Sequence, residues 1–76
     1  MNVDSPITVM IVDDTPENLR VLSRALTERG YRVLAFPSGA LALRALDNVV
    51  PDIALLDVNM PEMNGYELYA EMKKRE

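Results

Sequence analysis

Three aspartates stand directly after apolar segments of the chain, where their side chains could act together. Asp13 and Asp14 follow residues 7–12 (ITVMIV), and Asp57 follows residues 53–56 (IALL). Carboxylate oxygens are hard ligands of the kind that Mg²⁺ prefers. A carboxylate can also attack phosphorus and form an acyl phosphate. If the three side chains share one crevice, we expect a bound cation to offset their mutual repulsion.

A structural explanation accounts for part of this pattern. An acidic pair that ends a strand and precedes a helix often has no chemical role, and this explanation is sufficient for Asp14 and Thr15. It does not explain Asp57, which interrupts an apolar run at the equivalent edge, where a buried carboxylate without a partner would be costly. The three aspartates taken together favour a site.

The elements that must position these carboxylates follow one another in a repeating order. Apolar segments at residues 7–12, 31–36 and 53–56 predict three strands, each followed by apolar residues at helical spacing. The helix boundary signals are Thr15 and Pro16 at the first start, Gly30 at the first end, Ser38 at the second start, and Asn64 with Glu67 as a capping box at the third.

This alternation predicts the fold class. Strands joined by short helical connections form a parallel sheet, because each helix is a right-handed crossover. We therefore predict a three-layer α/β fold of order βαβαβα, with helices on both faces of the sheet. In the last helix, Leu68, Tyr69 and Met72 form the predicted apolar stripe, and Glu71 is expected to pair with Arg75.

The composition excludes several classes of protein. The chain has 76 residues, 49% of them hydrophobic and 26% charged, which indicates one small globular domain or part of one. It contains no Cys and no His, and therefore no disulfide and no zinc site of the usual kind. Its net charge of −4 argues against nucleic acid or an anionic membrane as the main partner. No signal peptide or membrane span is visible, which predicts a cytoplasmic location.

Two segments resemble the opening signatures of receiver domains of two-component response regulators. They are residues 9–14 (VMIVDD) and 55–65 (LLDVNMPEMNG). The pattern D-x-x-M-P-x-M-x-G of that family is matched at every fixed position, namely Asp57, Met60, Pro61, Met63 and Gly65. The resemblance implies a flavodoxin-like sheet with strand order 2-1-3, and a structural role for Pro61 and Gly65 in the loop and helix start. The methionines could equally be core packing.

The resemblance also implies roles for the acidic residues. Asp57 would be the phospho-acceptor, taking a phosphoryl group from a sensor histidine kinase or a phosphotransfer protein. Asp13 and Asp14 would hold Mg²⁺ directly or through water, with Asp57 and the main-chain carbonyl of Asn59 as further ligands. On this basis we expect the chain to be a phospho-accepting signalling module and not an enzyme.

The chain also departs from the family. The family has a Ser or Thr at the end of a fourth strand and a Lys at the end of a fifth, and both positions would lie beyond Glu76. We therefore expect residues 1–76 to be a truncated receiver without the fourth and fifth strands and their helices. Phosphotransfer is expected to be impaired in such a chain, because the Lys would contact the phosphoryl group.

The third strand has a consequence for assembly. Residues 53–56 offer no Lys or Pro to protect an exposed edge, and such an edge invites pairing with another chain. We predict self-association, as a two-fold dimer with the third strand against its copy. Three alternatives stay open: a piece of a longer receiver, a self-associating fragment with a silent acidic cluster, and an aspartyl-phosphate hydrolase of the haloacid dehalogenase type. The hydrolases have D-x-D where this chain has Asp57-Val58-Asn59.

Overall fold

Strands and helices alternate along the chain as predicted. A computed structural model describes residues 6–75. The elements are β1 (Thr8–Val12), α1 (Pro16–Glu28), β2 (Arg32–Phe36), α2 (Gly39–Ala45), β3 (Ile53–Leu56) and α3 (Gly65–Lys73). The first two strands begin one residue later than predicted. Residues 1–5, which bear on the expectation of no signal peptide, and Glu76 lie outside the described residues.

The three strands form a parallel sheet with β1 in the centre. The order is β2-β1-β3, which confirms the predicted order 2-1-3. Val12, the last residue of β1, lies opposite both Phe36 and Leu56, the last residues of β2 and β3. Because the three strands end at the same level, the residues that follow them lie at one edge of the sheet.

Helices cover both faces of this sheet and form the predicted three layers. Residues 9–12 of β1 are between 0% and 2% exposed, so the central strand is buried on both sides. Met10 and Val12 face α2 and α3 in a core with Ala42, Met60 and Leu68. Helix α1 contacts β1 and β2, and no residue of α1 is fully buried.

The predicted starts of α2 and α3 are confirmed. The Ser38 hydroxyl accepts a hydrogen bond from the Leu41 N–H at 3.2 Å. At the start of α3, the Asn64 side chain accepts from the Glu67 N–H at 2.9 Å, and the Glu67 carboxylate accepts from the Asn64 N–H at 3.0 Å. Both caps satisfy donors that a helix start leaves without partners.

Helix α1 ends as predicted and begins differently. Gly30 has φ of +93°, and the N–H groups of Gly30 and Tyr31 donate to the carbonyls of Thr27 and Leu26, which closes the helix in a Schellman motif. At the other end, Thr15 occupies the N-cap position but its side chain makes no capping hydrogen bond.

Two predictions about α3 are wrong. Tyr69 is 57% exposed and lies outside the apolar stripe, whereas Leu68 is buried and Met72 packs against the core. Arg75 does not pair with Glu71. Its guanidinium donates to Asp47 at 3.0 Å, because packing of α3 against α2 brings that carboxylate within reach, and Lys74 takes the place beside Glu71.

One edge of the sheet is open within the described part of the chain. Strand β3 pairs with β1 on one side, and no strand of residues 6–75 lies on the other. Ile53 and Leu55 on β3 are 45% and 41% exposed. Among the helices of residues 6–75, none has the length and apolar character that crossing a bilayer requires.

Candidate metal and phosphoryl site

The strand ladder fixes the backbone of Asp57 beside that of Asp13. The Asp57 N–H donates to the Val12 carbonyl at 2.9 Å, and the Asp13 N–H donates to the Phe36 carbonyl at 3.2 Å. These hydrogen bonds extend the ladder by one residue beyond the ends of the strands. The two aspartates therefore lie side by side at the carboxyl end of the sheet, where ligands of open α/β folds bind.

The structure brings all three predicted carboxylates together. Asp13, Asp14 and Asp57 each place one carboxylate oxygen within 4.8 Å of the others. Asp13 and Asp57 are partly buried, and Asp14 is exposed. Two carboxylate charges about 5 Å apart repel by roughly 1 kcal/mol in water and by several times more near a protein surface. A divalent cation among them would turn this repulsion into attraction.

Local hydrogen bonds hold two of the three carboxylates. Oδ1 of Asp13 accepts from the Thr15 N–H at 2.9 Å, and its Oδ2 accepts from the Asn18 side-chain amide at 3.3 Å. Oδ1 of Asp57 accepts from the Asn59 N–H at 2.9 Å. Within residues 6–75 the Asp14 carboxylate makes no hydrogen bond. The carboxylates thus differ in how firmly their orientation is set.

The donor set fits a hard divalent cation. Three carboxylates with oxygens this close, one of them open to solvent, match the preference of Mg²⁺ for a few carboxylates together with water. The Asn59 N–H donates a hydrogen bond to the Asp57 carboxylate, so Asn59 lies at the site. A role for the Asn59 carbonyl as a metal ligand stays a prediction.

The loop between β3 and α3 returns close to the backbone of Asp57. A Cβ atom at Gly65 would lie 2.7 Å from the Asp57 carbonyl oxygen and 3.2 Å from the Val58 Cα. Only a residue without a side chain fits there, which gives the structural role of Gly65 a specific cause. Met60 in the same loop is buried in the core, as the packing interpretation of the methionines proposed.

A cavity of about 320 Å³ opens beside Asp14. It is lined mainly by the start of α2 and by the loop after β3, with Ser38, Gly39, Met60, Pro61 and Met63 in its wall. No sequence signal had placed the β2–α2 loop at the site. The strand order contains this information, because β2 ends at the same edge of the sheet as β1 and β3.

The two groups that hold Asp13 were not predicted from the sequence either. Asn18 lies in the first turn of α1, and the Thr15 N–H belongs to the residue that was predicted to cap that helix. One signal was available: an aspartate two residues before a backbone N–H commonly accepts from it in an Asx turn.

The fold and the site define a class, a flavodoxin-like α/β protein with an acidic cluster at the carboxyl ends of its strands. Comparison with protein families identifies the family within this class. The family model described as the response regulator receiver domain matches residues 9–76. The chain belongs to this family, which confirms the resemblance read from the sequence and favours it over the hydrolase alternative. Receiver domains are phospho-acceptors that bind Mg²⁺ in their acidic pocket and act with histidine kinases or phosphotransfer proteins.

Known proteins similar to this chain include a curated relative and two solved structures. A probable cyclic di-GMP phosphodiesterase of Vibrio cholerae serotype O1 is 44% identical over 69 residues, which are 91% of this chain and 15% of that protein. The N-terminal domain of a response regulator receiver protein from Methanoculleus marisnigri JR1 superposes with a TM-score of 0.85 at 38% identity, over 91% of this chain and 56% of that one.

The second solved structure is that of a complex. The response regulator TrrA of Thermotoga maritima, in complex with Mg²⁺-BeF, superposes with a TM-score of 0.84 at 30% identity, over 92% of this chain and 61% of that one. The chain spans between 6% and 29% of the length of the first curated relatives it matches.

Proposed function

We propose that the chain accepts a phosphoryl group on Asp57 from the phosphohistidine of a sensor kinase or phosphotransfer protein. The observation that carries this proposal is the meeting of three carboxylates, with one oxygen of each within 4.8 Å of the others, in a chain of the receiver family. A cytoplasmic location belongs to the same proposal, because the donor must itself be phosphorylated by a kinase that uses ATP.

The residues of the chain suit this transfer. Oδ1 of Asp57 is engaged by the Asn59 N–H, so Oδ2 is the oxygen that we assign as nucleophile. In the transfer, an Asp57 oxygen forms a bond to phosphorus while the P–N bond of the phosphohistidine breaks. The electron pair of that bond returns to the imidazole, which takes up a proton as it leaves. The product is an acyl phosphate on Asp57.

We assign Asp13, Asp14, Asp57 and the main-chain carbonyl of Asn59 as the residues that hold Mg²⁺. When bound, the ion would offset the negative charge of the transferring group. The chain's own contribution is orientation: hydrogen bonds fix Asp13 and Asp57, and the strand ladder keeps their backbones side by side.

The direct test is phosphorylation by a small donor. The full chain is incubated with Mg²⁺ and phosphoramidate, and the intact mass is followed for the gain of one phosphoryl group. We expect a gain that is lost in Asp57→Asn and retained in Asp47→Asn, a control on an exposed carboxylate paired with Arg75. A chain that gains no phosphoryl group, or gains it equally in Asp57→Asn, would contradict the assignment.

We further propose that residues 1–76 represent the first three strand–helix units of a receiver and that phosphotransfer by these residues alone is impaired. In support, the chain spans 56% and 61% of the two solved chains described above. Lys74 and Arg75 are engaged by Glu71 and Asp47 at the far end of α3. The yield of phosphorylated chain tests this proposal, and complete conversion at the pace of a longer receiver would refute it.

A second candidate function is self-association. The observation that favours it is the outer edge of β3, which has no strand partner within residues 6–75 and presents Ile53 and Leu55 in part to solvent. We propose that a second copy pairs with this edge about a two-fold axis. Sedimentation over a range of concentrations is expected to show a dimer that Leu55→Lys disrupts and Val21→Lys, on an exposed position of α1, does not. A monomer at every concentration would refute it.

A further inference from the structure

The three carboxylates of the site are not equally prepared for a cation. Both oxygens of Asp13 accept hydrogen bonds, one oxygen of Asp57 does so, and within residues 6–75 the carboxylate of Asp14 accepts none. Asp13 is therefore the carboxylate whose orientation is fixed before a ligand arrives. One of its two donors is a backbone N–H, and the other is the side chain of Asn18.

Asn18 lies in the first turn of α1. It is the third residue of α1, after Pro16 and Glu17, and the first helical hydrogen bond, from the Leu19 N–H to the Thr15 carbonyl at 3.2 Å, closes the turn around it. The Thr15 N–H and the Asn18 amide then approach Asp13 from the same turn. Together they hold the plane of the Asp13 carboxylate from two sides.

We propose that Asn18 is a positioning residue for Mg²⁺ binding, acting through Asp13. This inference rests on the proposed function, in which Asp13 is one of the groups that hold the metal. Each carboxylate oxygen has two lone-pair directions, so a hydrogen bond to each leaves one direction on each oxygen for a metal or its bound water. Without Asn18, rotation of the Asp13 carboxylate is opposed by a single donor, and metal binding must then restrict that rotation.

The size of the effect follows from the geometry. Partners that orient a metal ligand commonly change metal affinity by 10- to 100-fold when they are removed. The Asn18 hydrogen bond is long, at 3.3 Å, and exposed. We therefore expect its loss to change metal affinity by less than that range. We expect Asn18→Ala to weaken Mg²⁺ binding by about three- to tenfold. Stability should not fall, because Ala is a better helix former than Asn.

The experiment is a titration of the full chain with Mg²⁺ alone, followed by the backbone amide signals of Asp14 and Asp57 in NMR spectra. Asn18→Ala is compared with Asn48→Ala, which removes a matching exposed amide from the turn after α2. The signal of the Asp13 carboxyl carbon is recorded without metal, as a readout that a general loss of stability would not move. We expect it to shift in Asn18→Ala and to stay in place in Asn48→Ala.

The outcomes separate this inference from the proposed function. If the wild-type chain binds no Mg²⁺ at these amides, the proposed function fails and the inference fails with it. If the wild-type chain binds and Asn18→Ala binds equally well, only the inference is overturned. Weaker binding in Asn18→Ala, with an altered Asp13 carboxyl signal and an unchanged melting temperature, supports it.

Discussion

The substitution Gly65→Ala tests how closely the phospho-acceptor depends on the loop that follows it. Gly65 is the first residue of α3 and is buried, and a methyl group there would lie 2.7 Å from the Asp57 carbonyl oxygen and 3.0 Å from its carbonyl carbon. Favourable contacts between carbon atoms lie at about 3.5–4.0 Å. All the nearest atoms belong to backbone, so no side chain can rotate away. Either Asp57 or the start of α3 must move.

The expected cost is the balance of two terms. Forcing an extra methyl group into a packed site costs about 1–3 kcal/mol. Replacing Gly by Ala lowers the entropy of the unfolded chain, which raises the free energy of unfolding by about 0.4–1 kcal/mol. We therefore expect Gly65→Ala to lower the free energy of unfolding by roughly 1–2 kcal/mol. We also expect weaker Mg²⁺ binding and less phosphorylation, because the atoms displaced belong to Asp57.

Gly30→Ala is the matched control. Gly30 has φ of +93°, so an alanine there is strained, but no atom lies within 4 Å of the added methyl group and the residue lies in the turn after α1. The strain is worth about 1–2 kcal/mol, similar to the expected cost at Gly65. The control therefore loses a comparable amount of stability while Mg²⁺ binding by the folded chain stays unchanged.

The assays are urea denaturation for stability and NMR titration with Mg²⁺ for the site. The predicted effect of Gly65→Ala is refuted if the free energy of unfolding of this variant lies within about 0.5 kcal/mol of the wild-type value and its Asp57 amide signal stays in place. It is also refuted if both variants weaken Mg²⁺ binding equally, because the effect would then follow stability and not the contact with Asp57.

Three further substitutions test the elements around the site by urea denaturation. Asn64→Ala removes the side-chain acceptor of the Glu67 N–H, one of the two hydrogen bonds of the capping box of α3, and is expected to cost about 1 kcal/mol, whereas a change below about 0.3 kcal/mol would contradict the cap. Asp52→Ala removes the acceptor of the Thr8 N–H at 2.8 Å and should cost about 1 kcal/mol, with most of it recovered in Asp52→Asn. Arg75→Ala breaks an exposed ion pair and should cost less than about 1 kcal/mol, decreasing with added salt; a larger, salt-independent loss would show that the side chain acts by packing.

The sheet and the acidic cluster could be predicted from sequence because both follow from where the apolar runs stop. Runs of apolar residues set the strands, and short helical connections make them parallel. If one aspartate directly follows each of two such strands, the two aspartates must lie at the same edge of the sheet. The meeting of Asp13, Asp14 and Asp57 needed only the further condition that β1 and β3 are neighbours, which the family resemblance implied.

The surface of α3 could not be predicted in the same way. Helical spacing identifies which residues share a face, but it does not tell how far the neighbouring layer extends over that face. Tyr69 lies outside the surface of α3 that β3 and α2 cover, and it is largely exposed. The partner of Arg75 is Asp47, which lies 28 positions earlier and reaches it only through the packing of α2 against α3. Spacing within one helix contains no information on that contact.

The start of α1 offers two hydrogen bonds, and sequence rules do not decide which of them forms. Thr15 has a side chain suited to capping, and the preceding Asp13 has one suited to accepting from the Thr15 N–H. The structure has the second arrangement, and the Thr15 hydroxyl makes no capping bond. The arrangement matters for the site, because the hydrogen bond from the Thr15 N–H is one of the two that orient Asp13.

The geometry of the site also depends on the opposite end of the β1–β3 pair. There the Asp52 N–H donates to the Thr8 carbonyl at 2.8 Å, and the Asp52 carboxylate accepts from the Thr8 N–H at 2.8 Å. A slip of one residue between the strands would move Asp57 by about 3.3 Å and turn its side chain to the other face of the sheet. The two hydrogen bonds of Asp52 oppose that slip, so a carboxylate with no chemical role at the site still helps to keep Asp57 beside Asp13.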